Sequence, residues 1–461
     1  MKYIIIFDFG STYTKLSVID RQKAEVALTA RVPSTVGTDA LLCMEQCFDI
    51  VRNRLGDADF SRSLKLASSS AAGGLRMAVI GLTHSLSISA GRNAAFGAGA
   101  KILGTFVGHI TDDDIKRLEG LNIEIILFCG GYEDGSTVAL EHNADMLANS
   151  GIVAPVIYAG NSSLARQIQT KFILSKKKCF PVNNIIPRVG VLEIEPSEKI
   201  IREIFIKSIV NMKGLQEVQA RLDGPLIPTP VAVLDAGELL SIGTGSSEGI
   251  GPLMIVDVGG ATTDIYSYVE QTKYQGASLI GSPEPYARRT VEGDMGIRES
   301  LGCMIDEIDL KKCVLASSIG VDDLRNKINK RIKTISYIAD TELERKLDNI
   351  LAAEAVHVAA RRHAGWIKYV HSSNVTAQQY GKNLSPIRLV IGTGGPIINS
   401  DSPEVILQEV CSDPMGSDNL LPESVNFYLD KHYIFYAAGI LRHYDAELAM
   451  EIMRKSLRSC N

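Results

Sequence analysis

Short apolar runs that stop at an aspartate organise this chain. Ile4-Ile5-Ile6-Phe7 enters Asp8-Phe9-Gly10-Ser11-Thr12-Tyr13-Thr14-Lys15, and Leu253-Met254-Ile255-Val256 enters Asp257-Val258-Gly259-Gly260-Ala261-Thr262-Thr263-Asp264. Each eight-residue stretch leads into another apolar segment, a pattern that predicts a hairpin turn between two strands. Leu16 to Asp20 is the first returning strand, and Ala24 to Arg31 extends a meander that stops at Pro33. Leu41, Leu42, Met44, Cys47, Phe48, Val51 and Leu55 then recur at helical spacing, with Gly56 placed to close the helix.

From about residue 64 to 190 the texture changes. Strand-like runs (Met77 to Leu82, Ile123 to Cys129, Val153 to Ala159) alternate with helical ones (Asp112 to Gly120, Thr137 to Ser150, Ser162 to Ser175), which predicts a parallel α/β insert. The pairs Gly130-Gly131 and Gly160-Asn161 follow strands and read as plain strand-to-helix turns. Pro196 to Leu222 forms an amphipathic helical pair, and Thr229 to Ser241 is a helix rich in small residues. A Gly/Ser-rich link, Gly243 to Gly251, then precedes the second turn. Residues 309 to 371 read as mostly helical, Leu389 to Ile391 as a strand, and Ile434 to Leu457 as a closing helix. The expected organisation is a first lobe (1–63), an insert (64–190) open to a partner, a first-lobe continuation with a connecting helix (191–250), a second lobe (251–433) and a segment returning to the first lobe (434–461).

At 461 residues and 45% hydrophobic content the chain is long enough for two or three cores. A net charge of −5 offers no electrostatic pull toward nucleic acid or an anionic membrane. The eight cysteines are scattered without a CxxC pair, which fits reduced thiols in a cytoplasm. Cys43 and Cys47 share a helical face but cannot complete a metal site alone, and they read as buried structural thiols. No apolar run reaches the length of a membrane span.

The two aspartate turns carry the candidate chemistry. Glycine lets backbone N–H groups approach a polyphosphate, hydroxyls and Lys15 add donors, and the aspartates suit a hydrated Mg²⁺, which keeps most of its waters and takes few direct ligands.

These turns, with the small-residue helix (Pro230 to Leu240), the run Gly392-Thr393-Gly394-Gly395-Pro396 and the helix start at Ala437 to Leu441, occur in the order of the actin, sugar-kinase and Hsp70 ATPase superfamily. The resemblance implies an α/β fold of two ribonuclease-H-like lobes with ATP and Mg²⁺ held between them. Further runs (Gly73 to Met77, Ala98 to Lys101, Pro228 to Leu234, Arg289 to Gly296) resemble the glutamate mutase accessory protein family of the MutL or GlmL type, distinct from the mismatch-repair protein of the same short name. That resemblance implies an ATP-using accessory or reactivating chaperone for an adenosylcobalamin-dependent glutamate mutase. It places Asp8 and Asp257 at the Mg²⁺ water shell, with Gly10, Ser11, Thr12 and Lys15 on one side of the phosphates and Gly259, Gly260, Thr262 and Thr263 on the other. Gly392, Gly394 and Gly395 would admit adenosine, and Asp264, Glu292 and Asp294 are left to orient the attacking water. Hsp70 proteins carry a catalytic glutamate before the connecting helix, whereas this chain has Ile227-Pro228-Thr229 there, so hydrolysis is expected to be slow or to rest on Asp264 or Asp257.

Other residues divide between roles. Asp294 serves either the site or the cap of a helix beginning near Met295. Glu354, His357, Arg361 and Arg362 form a solvated helix face or an adenine-facing one, with the solvated face the simpler reading. His84 and His109 lack partners at metal spacing. A small-molecule kinase or a hydantoinase-A-like hydrolase would share the second turn and is the competing function; a nucleotide-gated filament former is a third.

Overall fold

The computed structural model describes residues 1–10, 13–36, 38–70, 75–210, 215–335, 337–371, 375–412 and 418–460. The chain forms two compact units, Met1–Ala236 with Gly281–Glu284 and Tyr436–Ile452, and Gly237–Ile280 with Pro285–Phe435 and Met453–Asn461.

In the first unit, β1 (Tyr3–Phe9), β2 (Tyr13–Asp20) and β3 (Glu25–Pro33) form the expected antiparallel meander. Ile4 through Phe7 are buried on both faces of β1, so this strand lies inside the layer stack. The helix Ala40–Leu55 covers one face. Asp39 accepts a hydrogen bond from the Leu41 N–H at its start, and the Gly56 N–H closes on the Arg52 carbonyl at its end. Its buried stripe of Cys43, Met44, Cys47, Phe48 and Val51 packs toward the sheet, with the Phe48 ring edge-on to Phe7 at 5.6 Å. Each such apolar side chain contributes about 1.5–3 kcal/mol by leaving water. Burial raises the Cys47 thiol to about 12, and Cys43 accepts a hydrogen bond from Thr14 Oγ1, so both act as packing groups.

β4 (Leu64–Ser69) runs parallel to β1 and belongs to the first sheet. The insert boundary placed at residue 64 therefore falls one strand early, because pairing along β1, and not the polar texture of the strand, decides where β4 goes. The insert sheet consists of β5 (Arg76–Gly81), β6 (Lys101–Val107), β7 (Ile125–Gly130), β8 (Val156–Gly160) and β9 (Cys179–Pro181), all parallel in the order β6-β5-β7-β8-β9. Its strand ends are stitched internally. Asn161 Nδ2 donates to the carbonyls of Tyr132 and Glu133, and Asn184 Nδ2 donates to that of Gly131. The helices Glu195–Val210 and Leu215–Ala220 follow. β10 (Ile227–Pro228) then rejoins the first sheet, giving the order β10-β4-β1-β2-β3, and opens directly into the helix Thr229–Ile242.

The second unit repeats this plan. Its strands are β11 (Leu253–Val258), β12 (Thr263–Tyr268), β13 (Ser278–Ile280), β14 (Ala287–Glu292), β15 (Trp366–His371), β16 (Val375–Tyr380), β17 (Leu389–Thr393), β18 (Asn426–Asp430) and β19 (Leu457–Ser459). The main sheet runs β14-β12-β11-β17-β18-β19, and β13-β16-β15 forms a small separate sheet. The antiparallel trio β14-β12-β11 matches β3-β2-β1, and the parallel β17 and β18 match β4 and β10. The chain is therefore an α/β protein of two ribonuclease-H-like lobes with a parallel α/β insert in the first, as expected.

Two segments differ from the sequence reading. The helical run from 309 ends at His363, and Trp366–His371 is the edge strand β15, whose Trp366 ring stacks on Tyr380 across the hairpin at 4.4 Å. The closing segment holds two helices, Phe435–Leu441 and Ala446–Ser456, and ends as β19 in the second sheet.

His363 ties the second sheet to its covering helix. The ring is buried, with Nδ1 2.9 Å from Thr290 Oγ1 on β14 and Nε2 2.8 Å from Ser267 Oγ on β12. Burial, followed by the charges of Arg288 and Lys382, holds its pKa well below the ordinary histidine value. The imidazole stays neutral in the folded state while the unfolded chain takes up a proton, so this contribution is complete above about pH 6.5 and is lost as pH falls below it. His363→Gln is expected to unfold at lower urea than the parent at pH 7.5, with the gap narrowing as pH falls toward 5. A gap that does not change with pH would remove His363 from the acid response.

Candidate functional site

The first turn is closed by the Gly10 N–H donating to the Tyr13 carbonyl at 3.1 Å, and a Cβ on Gly10 would lie 2.6 Å from that oxygen. Only glycine allows this turn. Across the hairpin Asp8 stands in register with Lys15, whose Nζ is 3.7 Å from Asp8 Oδ2. Asp8 is 1% exposed, and its Oδ1 accepts a 2.6 Å hydrogen bond from Thr229 Oγ1 and a long one, 3.4 Å, from Ser68 Oγ. Ser34 Oγ donates to the Gly10 carbonyl at 2.7 Å. Asp8, Gly10 and Lys15 are thus together in one turn. Ser11 and Thr12 lie outside the described residues, as do Gly73 and Gly74. Thr229 and Ser68 are neighbours that motif reading missed. The available signal was the position of Thr229 at the head of the small-residue helix, read only for the glutamate it lacks.

The second turn is built the same way. The Gly259 N–H donates to the Thr262 carbonyl at 2.8 Å, and Asp257 stands in register with Asp264, where the first turn has Lys15. In both turns this glycine amide is used internally, so phosphate-facing amides would have to come from the residues after it. A collar formed by residues 293–300 supports the turn from behind. The Gly259 carbonyl accepts from the Ile297 N–H, and the Gly260 carbonyl accepts from those of Arg298 and Glu299 at 2.9 and 2.8 Å. Ser300 Oγ reaches the carbonyls of both Ala261 and Gly293. A side chain at Gly296 would strike the Gly260 carbonyl and the Ala261 backbone. Thr263 Oγ1 is buried and donates to the Met295 carbonyl at 2.6 Å, so its hydroxyl holds the collar instead of facing outward, while Thr262 Oγ1 donates to Asp264 Oδ2.

Gly392, Gly394 and Gly395 meet the second turn through strand pairing. β17 runs parallel to β11 and sets Thr393 beside Asp257. Gly394 has φ +85°, and a Cβ there would run into the Val258 carbonyl and Asp257 Oδ1. At the end of the neighbouring β18, Asp430 is fully buried. Burial pushes its carboxyl up to about 6 against the opposing hydrogen bonds from the Ile434 and Phe435 amides, Ser456 and Thr393.

The acidic residues expected to orient water are tied to arginines. Asp264 Oδ1 accepts from Arg289 Nε at 2.8 Å and Nη2 at 2.5 Å in a buried pair. Glu292 and Asp294 both accept from Arg362 Nη1 at 2.9 Å, and Glu307 takes Arg362 Nη2. No helix begins at Met295. Asp294 lies in a turn, and the next helix starts at Leu301, so the cap reading of Asp294 is corrected. On the long helix Glu342–His363 the solvated-face reading is corrected for Glu354, His357 and Arg361, while Arg362 is exposed. Glu354 is buried and pairs with Lys312 at 2.9 Å, His357 Nδ1 lies 2.7 Å from Glu409, and Arg361 donates to the Glu409 carbonyl. His109 sits beside His142 with ring centroids 5.1 Å apart. Among the described residues no group of three metal-ligating side chains occurs, and no helix is long and apolar enough to cross a membrane.

The model of the MutL protein family matches residues 4–457. The chain belongs to that family. Within it, the chain is 35% identical over 459 residues to the Protein MutL of Clostridium tetanomorphum, covering 99% of both sequences. The MutL family meant here is the glutamate-mutase type, not the mismatch-repair one. Among solved structures, the chain is similar to the ethanolamine utilization protein EutJ from Carboxydothermus hydrogenoformans (10% identity, 97% of this chain and 90% of that one, TM-score 0.26). It is also similar to xylulose kinase from Bifidobacterium adolescentis (11% identity, 98% and 93%, TM-score 0.29). At such TM-scores the reading of this MutL-family fold rests on its strand order.

Gly394→Ala is expected to lower stability by about 2 kcal/mol or more in urea unfolding, from the positive φ together with the collision at Asp257. Gly395→Ala opens onto only Asn399 Nδ2 at 3.8 Å and should change it by less than about 0.5 kcal/mol. Equal effects of the two would show that Gly394 is not conformationally required.

Proposed function

We propose that this protein binds ATP with Mg²⁺ through its two aspartate turns and acts as an accessory or reactivating chaperone for an adenosylcobalamin-dependent glutamate mutase. The observation that supports this reading best is the repetition of one device. In each unit a strand delivers an aspartate to a turn closed by a glycine two residues later. Family membership supports the choice of partner.

In this reading Asp8 and Asp257 hold Mg²⁺ through its water shell. The donor set around Asp8 fits that arrangement, because Thr229, Ser68 and Lys15 already engage the carboxylate and leave it suited to a water-mediated contact. Bound Mg²⁺ would offset the negative charge of the phosphates. Ser11, Thr12 and Lys15 would meet the phosphates from the first turn, and Gly260 and Thr262 from the second, with Gly10 and Gly259 closing the two turns. Thr263 supports the second turn through Met295, and Gly392, Gly394 and Gly395 leave room for adenosine. Turnover is slow, because Ile227-Pro228-Thr229 brings no carboxylate and the acids beside the second turn are held by arginine. Lobe movement that gives the ATP and ADP states different affinities for the mutase would supply the work. A cytoplasmic setting agrees with the free thiols of all eight cysteines.

Asp8→Asn and Asp257→Asn are each expected to weaken Mg-dependent ATP binding at least 100-fold in titration calorimetry while keeping the circular dichroism of the parent. Unchanged heats in both variants would overturn nucleotide binding by these turns. Mutase inactivated by turnover should then recover with this protein, ATP, Mg²⁺ and fresh adenosylcobalamin, but not with ADP. Binding without recovery would favour a small-molecule kinase or hydantoinase-A-like hydrolase.

A further inference from the structure

Thr229 is where a glutamate is missing, and what stands there is not inert. It is the first residue of the helix Thr229–Ile242, 8% exposed, and its hydroxyl makes the shortest contact that Asp8 receives, 2.6 Å to Oδ1. A hydroxyl at that distance from a carboxylate oxygen forms a charge-assisted bond, stronger than its neutral counterpart. Among the described residues the other hydroxyl on that oxygen, Ser68 Oγ, is at 3.4 Å and adds little orientation. Lys15, at 3.7 Å, addresses the other oxygen. Threonine is also branched at Cβ, which restricts its χ1 and so fixes the direction of the hydroxyl. Pro228 and Pro230 limit the backbone on either side.

We infer that Thr229 is a positioning residue for the Mg²⁺ site, holding Asp8 by Oδ1 so that Oδ2 is presented in one orientation to the water shell of the ion. This inference rests on the proposed binding of Mg-nucleotide at the first turn. It makes Thr229 a donor to Asp8 and not a substitute base. Outer-shell partners of this kind typically carry roughly 10–100-fold in metal affinity.

The test compares full-length wild type, Thr229→Val, Thr229→Ala and Thr229→Ser for ATP binding by calorimetry, at Mg²⁺ concentrations from micromolar to tens of millimolar and in EDTA. Thermal unfolding is recorded alongside. Thr229→Val keeps the shape and removes the hydroxyl, Thr229→Ala removes it where valine does not fold, and Thr229→Ser restores it. The expected result is that Val or Ala raises the half-saturating Mg²⁺ concentration by roughly tenfold or more, that Ser returns it to within about threefold of wild type, and that affinity in EDTA is unchanged. A lowered unfolding midpoint with the Mg²⁺ midpoint unmoved would overturn the inference, because packing alone would then explain the residue. Ser behaving like Val would overturn it too, by assigning the effect to the methyl group. Wild type binding ATP without any Mg²⁺ dependence would remove the underlying reading and this inference together.

Discussion

A carboxylate at the end of a buried strand is the constraint around which each half of this molecule is arranged. An acidic side chain with almost no exposure is tolerated only where donors surround it. Asp8 meets that condition through three side chains from three elements: Lys15 across the hairpin, Ser68 at the end of β4 and Thr229 at the head of the helix after β10. Satisfying one group therefore fixes where the second strand and a helix begin and where the fourth strand ends. The turn cannot move far without leaving that carboxylate short of partners, and such rigidity suits the phosphate contact proposed for it.

The second half meets a similar demand by other means. Where the first turn sets a lysine opposite its aspartate, the second sets Asp264, whose charge is taken by the buried Arg289. Residues 293–300 brace the second turn through backbone bonds, so its shape does not depend on the side chains facing outward. One topology thus carries two different electrostatic solutions, an aspartate paired with a lysine of its own hairpin and an aspartate set opposite an acid that an arginine compensates.

What could be read from the chain depended on distance along it. Asp8, Gly10 and Lys15 lie within one hairpin, and an apolar run ending in Asp-x-Gly is a local signal, so both turns were legible. The bond between Thr229 and Asp8 spans 221 positions, and no periodicity reports a partner that remote. Residues 289–296 stood out as a family run, yet their support of the second turn is visible only in packing. The shortest strands were also silent. β10 and β19 have two and three residues, too few to show alternation, and both are placed by the longer strands they join. Asp294 was ambiguous for a different reason: a capping aspartate and an arginine-holding one look the same until the helix is found to start at Leu301.

The chain passes from one unit to the other after Ala236, Ile280, Glu284, Phe435 and Ile452, and its last strand, β19, completes the second sheet beside β18. Neither unit is contiguous: the first takes residues 436–452, and the second residues 453–461, from beyond the bulk of the other. This connectivity differs from that of tandem domains, in which one half can be completed before the other has been made. Until β19 pairs, β18 offers an open strand edge. Removing residues 436–459 would consequently take structure from both units at once and leave the edge of β18 as the aggregation liability.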